Sequence, residues 1–125
     1  MQTVVLIMRR RPVAQGLIQK LRGDPNFSLY FEYSYTNAEA TIRTHNAGIA
    51  LIEVAETAGH DTAHCLALCA RLQETAPQCK LLLLCPETNP MAVARAVAAK
   101  RRGLIDDFIF YDSTTDYLAS KILSM

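Results

Sequence analysis

Two hydrophobic periods alternate along the chain. Thr3 to Met8 is a short, nearly continuous apolar run rich in β-branched residues, the pattern of a strand covered on both faces. Pro12 then stands where a first helical turn tolerates it. Val13, Leu17, Ile18 and Leu21 follow at helical spacing, and Gly23-Asp24-Pro25 stops that helix. Phe27, Leu29, Phe31, Tyr33 and Tyr35 alternate with Ser28, Tyr30, Glu32 and Ser34, which predicts a half-buried strand. Asn37 is placed to cap a short helix from Ala38 to about His45, closed by Asn46-Ala47-Gly48.

The same alternation continues to the end. Ile49 to Val54 predicts a second buried strand, and Ala55 to Gly59 a loop. Asp61 or Thr62 caps a helix running to about Thr75, before Pro77. Lys80 to Cys85, with four consecutive leucines, predicts a third buried strand. Pro86-Glu87-Thr88-Asn89-Pro90 supplies a loop, a cap and a proline at the first helical position. The helix it opens runs to about Arg102 and stops at Gly103. Ile105 to Tyr111 is the last strand and Thr115 to Met125 the last helix. Strands joined through helices must run parallel, with helices on both faces of the sheet. Four strands read as buried on both faces and the aromatic one as an edge, as the second strand is in a doubly wound order 2-1-3-4-5. The expected fold is α/β, a flavodoxin-like three-layer domain spanning residues 1–125.

Composition narrows the function classes. Half of the 125 residues are apolar, enough to bury a core, and the net charge of +1 is too balanced for a general polyanion binder, so nucleic-acid binding by this domain is not expected. No apolar run spans a bilayer, and Met1 to Met8 lacks the basic start of a signal peptide. Four cysteines without paired short spacings fit reduced thiols, hence the expectation of a cytoplasmic protein away from membranes.

In such a sheet the ligand site lies beyond the carboxyl ends of the strands. Met8 to Pro12, Glu53 to Gly59, Cys85 to Glu87 and Tyr111 to Ser113 are therefore the segments of interest. No glycine-rich loop follows the first strand, so neither a dinucleotide cradle nor a P-loop is present there; Arg9-Arg10-Arg11 follows instead.

The five-fold alternation, Pro12 opening the first helix, the Leu81–Leu84 strand and Ile105-Asp106-Asp107-Phe108 before the last strand together resemble the response regulator receiver domain over essentially the whole chain. The resemblance implies a signalling domain of a two-component type. In that family the first strand ends in two acidic residues that hold magnesium and the third in the aspartate that is phosphorylated. The fourth ends in Ser or Thr, and the fifth in Lys followed by Pro. Position by position, the acidic pair falls on Met8 and Arg9, the phosphoacceptor on Glu53, and Ser/Thr on Cys85 with Pro86 next. The Lys falls on Tyr111 and the Pro on Asp112. That set resembles a degenerate receiver, with no catalytic residue, no metal and no cofactor expected. Only Glu53 and Glu56 remain as carboxylates near an arginine cluster, and Glu53 is one methylene longer than the aspartate that in-line transfer requires.

Glu53 beside Arg9 to Arg11 reads as an ion pair that stabilises the loop, or more sharply as a built-in phosphomimic. Arg9, Arg10 and Arg11 also form a candidate anion site, the alternative function being a sensor for a phosphate-bearing ligand. Lys100-Arg101-Arg102 reads as helix-end cations complementing the dipole. His60, His64, Cys65 and Cys69 do not converge as zinc ligands do, and Cys65, Leu68, Cys69 and Leu72 form a packing stripe. A second stripe on that helix, Ala63, Leu66, Ala67 and Ala70, and the Met91–Ala99 helix leave apolar surface to spare. Met91, Val93, Ala94, Val97, Phe110 and Tyr117 are the candidate interface. The expected partners are a second copy of the chain or another signalling protein, and an output domain beyond the C-terminus.

Overall fold

The structure, a computed structural model, describes residues 2–55, 57, 59–111 and 114–125. Strands β1 (Gln2–Ile7), β2 (Phe27–Glu32), β3 (Ile49–Glu53), β4 (Lys80–Cys85) and β5 (Asp107–Phe110) form one parallel sheet in the order β2-β1-β3-β4-β5. Helices α1 (Arg11–Arg22), α2 (Ala38–Thr44), α3 (Thr62–Thr75), α4 (Pro90–Arg101) and α5 (Thr115–Leu123) alternate with them. This is the doubly wound α/β arrangement that the alternation predicts.

Side chains on successive strand residues feed opposite layers. Val4, Leu6, Leu51, Leu82 and Leu84 pack with Leu17 and Leu21 of α1 and with Leu118 and Ile122 of α5. Val5, Ile7, Ile52, Leu81 and Leu83 pack with α2, α3 and α4 through Ile42, Cys65, Leu72 and Ala96. The parallel register sets Ile7 opposite Glu32 of β2 and Ile52 of β3, so the strands end together where a site is needed. Asp61, Asn89 and Thr114 cap α3, α4 and α5, each accepting a backbone N–H at 3.0–3.1 Å.

Four expectations are corrected. Strand β2 stops at Glu32 rather than Tyr35, because the Glu32 carboxylate accepts from the Ser34 N–H (2.9 Å) and the Thr41 hydroxyl (2.6 Å) and turns the chain. Tyr35 is instead buried in a 3-10 turn, Tyr35–Asn37. Asn37 precedes α2 without a side-chain capping bond, since the 3-10 turn leads straight into the helix. The last strand is only Asp107–Phe110 and mostly half-buried, because the strand order gives the sheet a second edge there. Helix α5 ends at Leu123, where Ser124 donates its N–H back to Ser120 and Lys121.

The acidic pair at the start of β5, Asp106 and Asp107, is structural. Asp106 accepts from the Leu81 N–H at 2.7 Å. Asp107 accepts from Lys100 at 2.9 Å, from the Phe108 N–H at 2.8 Å, and from Lys121. Partial burial alone would raise the Asp107 carboxyl, but the two lysines and the N–H outweigh it and hold it down to about 2. A depressed folded value means stability present above the unfolded carboxyl value and lost as pH falls toward 2. Asp107→Asn is expected to lower the thermal midpoint by roughly 1–3 °C at pH 7, the scale of a surface ion pair in a chain this size. Thermal melts from pH 7 to 2 should show that difference closing in acid.

Helix α3 buries Cys65, Leu68, Cys69 and Leu72 and exposes Ala63, Ala67 and Ala70. Helix α4 buries only alanines, Ala92, Ala96 and Ala99, so it lies close on the sheet. Among the described residues no helix is long and apolar enough to cross a membrane.

Candidate functional site

Glu53 is the last residue of β3, follows four core residues, and is wholly buried. A buried carboxylate needs partners, and the turn after β1 provides them. The backbone N–H groups of Arg9 and Arg10 donate to Glu53 Oε1 at 2.6 and 3.1 Å. Arg10 Nε lies 3.6 Å from Oε2, an ion pair too long for a hydrogen bond. The Glu53 carbonyl accepts from the Tyr35 hydroxyl, and the Cys65 thiol lies 3.6 Å from it. Burial, followed by the nearby Cys65 and Glu53, pushes the Tyr35 hydroxyl far above its ordinary value, so it remains a donor.

The arginine side chains spend themselves on rings. Arg9 lies 4.0 Å over Tyr33, Arg10 4.2 Å over Tyr111, and Arg11 4.9 and 5.6 Å over Tyr33 and Phe31. The ion pair expected between Glu53 and the arginine cluster therefore belongs to Arg10. Arg9 serves Glu53 through its main chain only. The aromatic partners were missed in the sequence, although the ring-rich alternation of residues 27–35 was their signal. Pairing β2 beside β1 carries Phe31 and Tyr33 to the arginine turn.

Met8 does not reach the site. Its side chain is wholly buried in the α1/α5 layer. Cys85 ends β4 in the opposite layer, and burial pushes its thiol up to about 12. Burial likewise raises Cys69 and Cys79 to about 12 and Cys65 further still. Buried thiols raised in this way stay protonated near neutral pH and make poor nucleophiles. At pH 8 we expect iodoacetamide to label no cysteine of the native chain over minutes and all four in denaturant, read by intact mass.

Tyr111 does reach the site. Its hydroxyl is buried with no hydrogen-bond partner among the described residues, and Glu53 Oε2 shares that condition. Burial and then the Glu53 charge keep the Tyr111 hydroxyl protonated. Both residues line a cavity of about 290 Å³ together with Arg9, Arg10, Ala55, Thr57, Pro86 and Thr88. Glu56 and Asp112, the other residues expected here, and Ser113 lie outside the described residues.

A divalent cation does not fit the donor set that the described residues offer. Hard cations take several oxygen ligands. Glu53 is the one carboxylate among the cavity's described lining residues; two N–H groups occupy its Oε1, and a guanidinium stands at its Oε2. The histidine and cysteine cluster diverges too. His64 donates its N–H to Asp61 at 3.0 Å and sets its ring Nδ1 2.7 Å away, which holds the Asp61 carboxyl below its ordinary value. His60 Nδ1 is 3.0 Å from the Thr57 hydroxyl, while Cys65 turns inward. On the candidate interface, Met91, Ala94 and Tyr117 are exposed and Val93, Val97 and Phe110 are half-buried. Of the basic triplet at the end of α4, Lys100 is bound to Asp107.

Neither a protein-family model nor a curated protein sequence matches this chain. Solved structures do. A response regulator from Thermotoga maritima superposes with a TM-score of 0.77 at 19% identity, over 99% of this chain and 96% of that one. An orphan response regulator of H. pylori gives 0.78 at 18% identity, over 98% and 94%. An adenylate cyclase structure from Rhodopirellula baltica gives 0.82 at 14% identity, over 98% and 85%. At these identities the likeness establishes the fold.

Proposed function

We propose that this chain, with the fold of response regulator receiver domains, is a receiver-like signalling module that accepts no phosphoryl group and acts by binding a second copy of itself or another signalling protein. One observation carries the reading. The carboxylate at the end of β3 is held from within the chain, its Oε1 by two N–H groups, with the Arg10 guanidinium as counterion 3.6 Å from its Oε2. Phosphoryl transfer to a carboxylate requires a cation to take up developing charge, and an exposed oxygen in line with the donor. Met8, Arg9, Cys85 and Tyr111 stand where the receiver resemblance sets acidic, hydroxyl and lysine side chains. A permanent carboxylate–guanidinium contact then holds the turns after β1 and β3 in one signalling state. The apolar surface of α4 with Tyr117 and half-buried Phe110 supports the partner role.

Sedimentation at several concentrations, with and without magnesium and acetyl phosphate, tests this reading. The expected result is a mass that depends on concentration and ignores the phosphodonor. A phosphodonor-dependent mass, or an 80 Da adduct on Glu53, overturns it.

A second reading, a sensor binding a phosphate-bearing ligand through Arg9 to Arg11, is favoured by the position of Arg9 and Arg10 on the cavity wall. A thermal-shift screen of anionic nucleotides separates the two.

A further inference from the structure

The floor and the mouth of the cavity carry opposite charge. Glu53 lies at the floor, its side chain wholly buried, whereas Arg10 at the mouth is 56% exposed. A simple anion entering between the arginines meets a carboxylate, and a simple cation must pass two guanidiniums. Two buried polar atoms end in the same space without hydrogen-bond partners among the described residues, Glu53 Oε2 and the Tyr111 hydroxyl. Orphaned buried polar atoms are costly and usually mark a missing occupant. The volume, about 290 Å³, is at the small end of ligand sites.

We propose that this cavity binds a small zwitterion, in the simplest case a free α-amino acid, with its ammonium on Glu53 Oε2 and the Tyr111 hydroxyl and its carboxylate on Arg10 at the mouth. The inference rests on the reading that the cavity handles neither metal nor phosphoryl chemistry. Arg10 presents more donors than its contact with Glu53 uses, because a guanidinium carries five N–H groups. Thr57 and Thr88 also line the cavity and add neutral side chains to it. Binding would bridge the segments after β1, β3, β4 and β5, so an occupant changes how firmly these ends are held together.

The test is an NMR titration of the intact chain with the standard amino acids. Each binder is then repeated as its N-acetyl form, which removes the ammonium, and its amide form, which removes the carboxylate; inorganic phosphate is the anion control. At least one amino acid is expected to shift the Arg9 and Arg10 amide signals, and each blocked form should bind roughly tenfold more weakly or worse, the weight of a charge-assisted hydrogen bond. Tyr111→Phe keeps the ring under Arg10 and guards against a folding defect. It is expected to melt no lower than the parent, because it removes an unpaired buried hydroxyl, and to bind the amino acid several-fold more weakly. If no amino acid perturbs the site, or if phosphate or the N-acetyl form binds as well as the parent amino acid, the proposal fails. A Tyr111→Phe variant that binds unchanged also overturns it. An 80 Da adduct from acetyl phosphate on Glu53 is a separate outcome that removes the reading underneath.

Discussion

Glu53→Ala is expected to cost about 3–4 kcal/mol of folding stability, through lost hydrogen bonds and a cavity at a fully buried position. The side chain is the acceptor for two main-chain N–H groups, at 2.6 and 3.1 Å, that no helix or strand bond satisfies. Removing it orphans both donors and leaves the Arg10 guanidinium without its counterion. Glu53→Gln separates the contributions. A glutamine carbonyl still accepts from Arg9 and Arg10, so only the charge is lost, and we expect about 1–2 kcal/mol. Most of that comes from the N–H bonds losing their charge assistance, because the half-exposed Arg10 side chain is screened by water. Urea melts of the two variants check the order, alanine well below glutamine and both below the parent. Equal melts would mean that Glu53 holds nothing.

Met8→Asp is expected to cost about 4 kcal/mol or more, from a buried apolar side chain lost and an unpaired charge gained. Met8 is wholly buried in the apolar α1/α5 layer with Leu6, Leu17, Leu51 and Leu84. The site therefore does not regain an acidic pair by that change. Sign and pH dependence follow from burial alone. A carboxyl in this layer has its pKa raised, so the variant's deficit is smallest below about pH 4, where the group is neutral in both states, and grows as pH rises. Thermal melts of parent and variant between pH 3 and 8 read this as a widening gap. A variant as stable as the parent at pH 8 would place residue 8 at the surface of the site instead.

The sheet was legible because its signal is redundant. Each buried strand is a continuous apolar run, each helix has its own stop, and order 2-1-3-4-5 follows from one aromatic edge. What escaped was decided by contacts distant in sequence. Tyr35 continues the period-two pattern yet leaves the sheet, because Glu32 ties down Ser34 and Thr41 and the Tyr35 hydroxyl reaches Glu53. Ile105 looks like strand, yet pairing begins only at Asp107, opposite Leu82. At the site, the sequence shows three arginines near one glutamate but not which atom of which arginine does the binding. Backbone donors have no residue type, so the two N–H groups on Glu53 leave no trace in composition or spacing. The rings that collect the guanidiniums arrive from the end of β2 and from beyond β5, 20 or more residues away in sequence.

The account turns on a carboxylate held by its own chain's N–H groups beside a guanidinium, with no place for a divalent cation. Manganese, which takes magnesium sites and broadens the NMR signals of nearby nuclei, reads that directly. Titrated to millimolar Mn²⁺, the amide signals of Arg9, Arg10, Glu53 and Val54 should broaden no more than those of the surface at large. Selective loss of those four signals at micromolar Mn²⁺, reversed by excess Mg²⁺, would show a working cation site at the end of β3 and contradict the account.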